Sequence, residues 1–164
     1  MSSFEYGDGI LNKRFSQTVI TGKSGDKKVE GDLKTPVGVY DILKKFTPPS
    51  DYYGPVAFEL SYPNSLDKLA KKSGSGIWIH GLPMTGKRDD DYNTKGCVAF
   101  ENESLKEFAK IVGSSGVVMI SETKVAEAKS DHIALILSSL FEWKDAWEKN
   151  HISAYLKFYA DDFT

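Results

Sequence analysis

The sequence contains a single cysteine, Cys97, among its 164 residues. One cysteine excludes an internal disulfide, and structural zinc sites usually need several cysteines and histidines close together in sequence. No metal and no cofactor are therefore expected. Cys97 is either an inert buried thiol, as most free cysteines are, or a working nucleophile.

Long apolar runs and an excess of one charge are also lacking. No stretch approaches the ~20 apolar residues that span a bilayer, so no membrane span is expected. The first six residues lack the basic and apolar regions of a signal peptide, which predicts either a cytoplasmic protein or the processed form of an exported one. With 21 basic and 23 acidic residues, the chain lacks the basic excess typical of nucleic-acid binding.

The composition that remains is that of a folded domain, with 40% apolar and 12% aromatic residues. A chain of this length buries roughly two-thirds of its unfolded surface. Glycine and proline separate short apolar runs, which predicts strands and turns. The predicted strands include residues 18–20, 37–40, 56–60, 77–80, 97–100 and 117–120. The chain up to about residue 124 is therefore predicted to be one β-rich α+β domain.

A short helix is predicted at about residues 65–72. Its cap is expected to be Asn64 or Ser65, which are good acceptors for the first free N–H groups of a helix. Leu66 and Leu69 are expected to face inward.

A longer helix is predicted to begin at Asn102 and to end at Gly113. Leu105 and Phe108 lie on one face of it at helical spacing. This helix is therefore expected to pack on the core of the domain.

Residues 125–164 differ in character from the rest. Between residues 126 and 149 there is no proline or glycine, and large apolar side chains recur at helical spacing. Another helix is predicted after Asn150. Two such helices have little partner surface of their own, so they are expected to pack on the first domain, to begin a second domain, or to join copies of the chain in a homo-oligomer.

The most informative stretch for function lies between residues 76 and 98. His80 ends an apolar strand beside Gly81, and seventeen residues later Cys97 follows Gly96 at the start of another apolar run. Thiol catalysis needs a base within hydrogen-bond reach and donors for the oxyanion. From spacing alone, a catalytic pair and a buried cysteine with a satisfied histidine are equally compatible.

The segments GIWIHG at 76–81 and NTKGCV at 93–98 resemble the active-site signature of the L,D-transpeptidase (YkuD-like) catalytic domain. The segment GDLKTPVGVY at 31–40 is similar to that family's second hallmark, a Gly-x-x-x-Thr-Pro-x-Gly-x-Tyr hairpin. The resemblance covers roughly residues 5–122. Within the family, these motifs are similar to those of the peptidoglycan L,D-carboxypeptidases of helical Gram-negative bacteria, which carry a C-terminal NTF2-like domain.

The resemblance implies an L,D-transpeptidase-like β-sandwich with short helices over residues 1–124. Residues 125–164 would then be C-terminal helices, possible first elements of an NTF2-like domain that the chain cuts short. It also implies periplasmic action, with the signal peptide absent from this chain.

The activity that the resemblance implies is a cysteine L,D-carboxypeptidase. Its partners would be peptidoglycan stem peptides, from which it removes the terminal D-alanine of tetrapeptides to give tripeptides, a trimming reaction related to cell shape. Cys97 would be the nucleophile and His80 the base. Gly96 would supply an oxyanion N–H and the backbone carbonyl that is typically the third catalytic member.

The sequence departs from the family pattern on either side of the cysteine. Lys95 stands where many members have a second histidine, and Ala99 where many have an arginine. His80 is therefore the one candidate for the general base. The cation that would bind a substrate carboxylate is not assigned by the resemblance. The residues expected to bind substrate are Arg88, Lys95, Gly81 and Trp78, with Lys87 as a further candidate cation.

Other functions remain open at this stage: an L,D-transpeptidase, a non-catalytic peptidoglycan-binding module, or a redox-sensing thiol protein. Binding alone requires neither His80 nor Cys97, and the chain has no second cysteine to resolve an oxidised thiol. The short charged loop between them favours hydrolysis over cross-linking, because it offers few apolar residues to dock an acceptor strand. Its acidic run at 89–93 lacks the glycine of a calcium loop, since Thr94 stands there.

Overall fold

The computed structural model describes four stretches of the chain, residues 1–7, 10–86, 93–123 and 129–161. The chain divides into two compact units, Met1–Thr123 and Lys124–Thr164. Within the four stretches, no helix is long and apolar enough to cross a membrane.

Strands predominate in the first unit and helices in the second. The strands are β1 (Ser2–Gly7), β2 (Ile10–Ser16), β3 (Gly38–Phe46), β4 (Ala57–Leu60), β5 (Trp78–His80), β6 (Val98–Ala99) and β7 (Val117–Ile120). The helices are α1 (Ser65–Leu69), α2 (Asn102–Ile111), α3 (Ser130–Glu148) and α4 (Ile152–Leu156), with a short 3-10 helix at Asp51–Tyr53. The predicted α+β class, with C-terminal helices after the β-rich part, is confirmed.

In the described part of the first unit, the strands form two sheets. β1 and β2 pair as an antiparallel hairpin, and the other sheet has the order β6-β5-β4-β3-β7. β5 and β6 are parallel, with Ile79 opposite Val98 and His80 opposite Ala99. This pairing brings the histidine strand and the cysteine segment side by side.

Four phenylalanines hold α2 against the sheets. The ring centroid of Phe108, from α2, lies 5.7 Å from that of Phe15 and 5.3 Å from that of Phe58. It also stacks on Phe100, just after β6, at 5.3 Å. Such ring pairs contribute about 0.5–1.5 kcal/mol each beyond the area they bury. The core therefore lies directly beneath the strands that carry the candidate site.

Helix α1 buries a charge rather than an apolar face. Asn64 caps it: its side chain accepts from Asp67 N at 2.9 Å, and the Asp67 carboxylate accepts from Asn64 N at 3.1 Å. The prediction that Leu66 and Leu69 face inward is wrong, because these side chains are 75% and 80% exposed. The buried Asp67 instead forms an ion pair with Lys72 at 2.9 Å, so electrostatics ties the helix to its surroundings.

The run at 18–20 forms a single bridge rather than a strand. Ile20 N–H donates to Ala99 O, and Ala99 N–H donates to Ile20 O, both at 2.8 Å. One bridge still places this segment beside β6, next to the cysteine.

Within the second unit, α4 packs on α3 through aromatic rings. The ring of Tyr155 lies 5.8 Å from that of Trp143 and 5.1 Å from that of Trp147. The indole N–H of Trp143 donates to the hydroxyl of Tyr159 at 3.0 Å. The N-terminal cap of α4 is His151, one residue after the predicted Asn150.

Most other large apolar side chains of the second unit are exposed. They are Ile133, Leu135, Ile136, Leu137, Leu140, Phe141, Trp147, Ile152, Leu156 and Phe158. The apolar periodicity therefore predicted the helix correctly, and most of its large apolar side chains are exposed in the described part of the second unit.

Candidate active site

The turn that carries the cysteine is built on a threonine. The buried Thr94 hydroxyl donates to Cys97 O at 2.5 Å and accepts from Gly96 N–H at 3.2 Å. The main-chain N–H of Thr94 donates to Thr21 O at 3.0 Å. These bonds fold residues 94–97 into one turn before β6, so the backbone sets the position of the thiol.

Gly96 is required at its position by conformation and by space. Its φ is +124°, a conformation that side-chain-bearing residues rarely adopt. A Cβ at Gly96 would lie 2.7 Å from Lys34 O. The N–H of Gly96 donates to the Thr94 hydroxyl, and its use as an oxyanion donor stays a prediction. The role of Gly96 here is to let the turn form.

Cys97 Sγ lies between two main-chain groups of the neighbouring segment. It donates to Gly76 O at 3.6 Å and accepts from Trp78 N–H at 3.4 Å. Burial raises the pKa of the Cys97 thiol above its ordinary value, while the Trp78 N–H and the positive charge of Lys27 act in the opposite direction without reversing the shift. The resting group is therefore a thiol, and a base must take its proton before it can attack.

His80 is oriented by the residue that follows it. Its Nδ1 lies 2.6 Å from Gly81 O. Because a carbonyl oxygen only accepts, Nδ1 carries a proton, and in the neutral ring Nε2 has the lone pair that a general base needs. The carbonyl that contacts His80 Nδ1 is thus that of Gly81, and a catalytic carbonyl at Gly96 stays a prediction.

The Gly81 peptide is itself held in place. Its N–H donates to Tyr53 O at 2.9 Å, and the Tyr53 ring packs edge-on against the imidazole of His80 at 5.1 Å. A Cβ at Gly81 would lie 2.2 Å from Asn102 Oδ1, which accepts from Leu82 N at 2.9 Å. Glycine at this position is therefore a packing requirement of the histidine strand.

His80 and Cys97 open into the same cleft, whose volume is about 560 Å³. The lining residues are Lys27, Glu30, Gly31, Leu33, Tyr52, Tyr53, residues 74–77, His80, Thr94, Lys95 and Cys97. The cleft thus combines a thiol, an imidazole with a defined tautomer, and charged side chains. This combination can perform acyl transfer through a thioester.

The predicted substrate-binding residues fall in different places. Lys95 lines the cleft with an exposed side chain, and Gly81 lies beside His80. The indole of Trp78 packs edge-on against Phe46 and Tyr53, at 5.0 and 5.2 Å, so its main-chain N–H is the part that contacts the thiol.

Two further candidates, Arg88 and Lys87, lie outside the described residues, as does the acidic run at 89–92. Among the residues that are described, no cluster of three or more His, Cys, Asp or Glu side chains could hold a metal ion.

The lining residues that were not singled out from the sequence include Thr94, Tyr53 and Lys27. Thr94 was inside the quoted motif, and its hydroxyl role follows from its place three residues before Cys97. Tyr53 and Lys27 are distant in sequence from the motif, and nothing in the composition distinguishes Lys27 from the other 20 basic residues.

The loop before the predicted hairpin is fastened by an ion network. Asp26 accepts from Val37 N at 2.9 Å and forms ion pairs with Lys28 at 2.7 Å and Lys72 at 2.9 Å. Although burial acts to raise it, these hydrogen bonds and charges hold the pKa of Asp26 at about 2. Lys72 also forms an ion pair with the buried Asp67. The network therefore joins the wall of the cleft to α1.

The fold thus brings a cysteine and a histidine into one cleft. Residues 2–120 match the L,D-transpeptidase catalytic domain family (YkuD). Because this match covers well over half of the chain, the protein belongs to the L,D-transpeptidase catalytic-domain family. Residues 135–164 match the Cds6 C-terminal NTF2-like domain.

Individual relatives agree with the family. YafK of Escherichia coli (strain K12), assigned by name to the L,D-transpeptidases, is 28% identical over 106 residues, which are 64% of this chain and 38% of YafK. The crystal structure of the helical cell shape determining protein Pgp2 from Campylobacter jejuni is 47% identical, with a TM-score of 0.85 over 98% of this chain and 57% of that one.

The structure of Bd1075 from Bdellovibrio bacteriovorus is 29% identical, with a TM-score of 0.80 over 99% of this chain and 59% of that one. The chain therefore spans between about two-fifths and three-fifths of the length of these relatives.

Proposed function

We propose that this protein is a cysteine L,D-carboxypeptidase that removes the terminal D-alanine from peptidoglycan tetrapeptides. The observation that carries the proposal is the Cys97 thiol in one cleft with His80, whose Nδ1 is bound by Gly81 O. A thiol whose pKa is raised by burial needs such a base before it can attack.

In the first half of the reaction, His80 Nε2 takes the proton of Cys97 and the thiolate attacks the carbonyl carbon of the residue before D-alanine. The carbonyl oxygen becomes an oxyanion, for which main-chain N–H groups near the cysteine are the available donors. When the C–N bond breaks, the imidazolium returns the proton to the amine, and D-alanine leaves. The remaining peptide is a thioester on Cys97.

In the second half, water attacks the thioester carbonyl while His80 accepts its proton. Collapse of the tetrahedral intermediate breaks the C–S bond, and the imidazolium protonates the departing sulfur. The products are a tripeptide and the resting thiol. No metal or cofactor takes part in these steps.

The setting proposed for this activity is the periplasmic cell wall. The structural relative Pgp2 is named for determining helical cell shape, and wall trimming by this protein would serve the same purpose. The proposal also treats residues 1–124 as the catalytic domain and residues 125–164 as the first part of an NTF2-like domain, which the match over 135–164 supports.

An L,D-transpeptidase is the competing activity. It is favoured by the family to which the chain belongs and by the name of YafK. It shares the thioester and differs only in the acceptor, an amine in place of water. The charged loop that favoured hydrolysis falls largely outside the described residues. The reaction products therefore have to distinguish the carboxypeptidase from the transpeptidase.

The test is incubation of the purified protein with tetrapeptide muropeptide monomers, with and without a free D-amino acid, followed by mass measurement of the products. We expect tripeptide and D-alanine, without dimers or exchanged tetrapeptides. Faster formation of exchanged or dimeric products would replace the carboxypeptidase by the transpeptidase.

Variants identify the catalytic residues in the same assay. Cys97→Ala and His80→Ala are each expected to lower turnover by about 10³-fold or more, with unchanged melting. Lys106→Ala, on the exposed surface of α2, is the matched control and should keep full activity. Turnover by Cys97→Ala near that of wild type would rule out thiol catalysis, and turnover by neither wild type nor variant would favour the binding module.

A further inference from the structure

Lys27 is a buried lysine in the wall of the catalytic cleft. Its side chain is only 4% exposed, although lysine is seldom buried without a partner. Its Nζ donates to Asp32 Oδ1 at 2.9 Å and to Val29 O at 3.2 Å. An ammonium has three N–H donors, so one donor remains after these two bonds in the described part of the chain.

The charge of Asp32 is shared between Lys27 and the main chain of its own loop. Its carboxylate also accepts main-chain N–H groups from Lys28 at 2.7 Å, Val29 at 3.0 Å and Lys34 at 3.0 Å. These bonds lower the pKa of Asp32 and satisfy its oxygens within the loop. Lys27 is therefore held by a carboxylate whose charge is already stabilised by main-chain hydrogen bonds.

The tip of Lys27 lies at the cleft surface, near the thiol. Its Cε is 3.3 Å from the position that a Cβ on Gly74 would take, and both residues line the cleft with Cys97. The charge of Lys27 also acts on the Cys97 thiol. An anion bound at Lys27 would thus share the cleft with the nucleophile.

The other described cation of the cleft wall, Lys95, is exposed. An exposed lysine is mobile and its charge is screened by water and salt, whereas a buried and hydrogen-bonded one is preorganised in a medium of lower polarity. Glu30, also on the wall and exposed, lies beside the same Gly74 as the tip of Lys27, and because it is exposed its charge is screened by water and salt. Of the two described lysines of the wall, Lys27 is therefore the preorganised one.

We propose that Lys27 binds the terminal carboxylate of the substrate and so selects peptides that end one residue after the attacked carbonyl. The proposal rests on the proposed function, and it assigns the docking role that sequence comparison left vacant at Ala99. Ala99 itself is fully buried in β6 and contributes no charge to the cleft.

The test uses two alkylating reagents that differ in charge. Iodoacetate carries a carboxylate and iodoacetamide does not, and the single cysteine of the chain makes mass measurement unambiguous. The quantity measured is the ratio of the two alkylation rates at Cys97. This ratio is independent of the thiolate fraction, since both reagents attack the same thiolate, and circular dichroism of each variant checks that the protein is folded.

We expect Lys27→Gln to lower the iodoacetate-to-iodoacetamide ratio about fivefold, the effect of roughly 1 kcal/mol between unit charges at contact in water. Lys27→Arg should retain most of the ratio. Lys95→Gln is the matched control and should leave it nearly unchanged. An unchanged ratio in Lys27→Gln, or an equal fall in Lys95→Gln, would overturn the proposal.

Removing Lys27 leaves Asp32 without its counter-charge. If Lys27→Gln unfolds, the double variant Lys27→Gln/Asp32→Asn, which removes both charges, replaces it with the same expected fall. A ratio equal to wild type in the double variant overturns the proposal.

Alkylation requires no turnover, so the two proposals fail separately. Release of D-alanine with a ratio insensitive to Lys27 would retain the carboxypeptidase and reject the docking role. A ratio that depends on Lys27 without cleavage of any stem peptide would retain the carboxylate site and reject the carboxypeptidase.

Discussion

Helices α2 and α3 carry apolar residues at the same spacing but have different surroundings. In α2, Leu105 and Phe108 are 0% and 1% exposed, whereas in α3 Phe141 and Trp147 are 65% and 64% exposed. α2 follows directly on β6 and packs on the aromatic core. Helical periodicity thus predicts which face is apolar, and only the surrounding structure determines whether that face is covered.

The distribution of apolar residues around the two helices also differs. α3 has five consecutive apolar residues at 133–137, so its apolar surface extends around much of the helix. A helix that is apolar on several sides is typical of the interior of a domain. The second unit is therefore expected to be covered in its functional state.

The largest expected change in the free energy of unfolding comes from α2, the helix whose apolar face is buried in the core. Phe108→Ala removes a ring that contacts three other phenylalanines, and it should lower the free energy of unfolding by about 3–5 kcal/mol. The measurement is chemical denaturation followed by near-ultraviolet circular dichroism. A loss below about 1 kcal/mol would mean that α2 is not packed as described.

An intermediate loss of unfolding free energy is expected when the ion network around Asp26 in the first unit is broken. Asp26→Asn removes a carboxylate that accepts from Val37 N, Lys28 and Lys72, and it should lower the free energy of unfolding by about 1–3 kcal/mol at pH 7. The Asp26 carboxylate has a native pKa of about 2, below its ordinary value of about 3.9. Its contribution is therefore present above pH ~4 and is lost as the pH falls towards 2.

The check is denaturation of wild type and Asp26→Asn at pH 7 and pH 2.5, where their difference should shrink. Glu103→Gln is the control, because its side chain is 85% exposed in a surface pair with Lys106 and should change stability by at most about 0.5 kcal/mol. A difference between wild type and Asp26→Asn that is the same at both pH values would contradict this assignment.

The smallest change is expected on the exposed face of α3. Phe141→Ala is chemically the same substitution as Phe108→Ala, and it should change the free energy of unfolding by no more than about 0.5 kcal/mol in this chain. Denaturation at two protein concentrations measures it. A loss near that of Phe108→Ala, growing with concentration, would show that a second copy covers the face, as the expected homo-oligomer requires.

Much of this organisation was accessible from the sequence. The α+β class, α2, α3, β7 and the importance of the His80 and Cys97 segments follow from periodicity, from glycine and proline positions, and from two motifs. Positions such as Gly81 and Gly96 stood out because they adjoin the chemistry. Local patterns suffice here because a strand, a helix or a tight turn is specified by neighbouring residues.

The sequence was less informative about which side chains are buried and which polar groups pair with each other. Leu66 and Leu69 have the spacing of buried residues and are exposed, while the charged Asp67 between them is buried because Lys72 pairs with it. The contact between His80 Nδ1 and the carbonyl of Gly81 was not indicated by the spacing of the motif. These outcomes depend on which hydrogen bonds are satisfied in three dimensions, and sequence spacing does not contain that information.

The sequence by itself therefore determined the class of fold and the two residues on which acyl transfer would depend. Tertiary structure decided what surrounds them: a threonine that holds the cysteine turn, a thiol between Gly76 O and Trp78 N, and a buried Lys27 on the cleft wall. The physical reason is that these groups lie up to about 70 residues apart in the chain. Only the pairing of β5 with β6 and the packing of the 26–34 loop bring their charges and hydrogen bonds to one place.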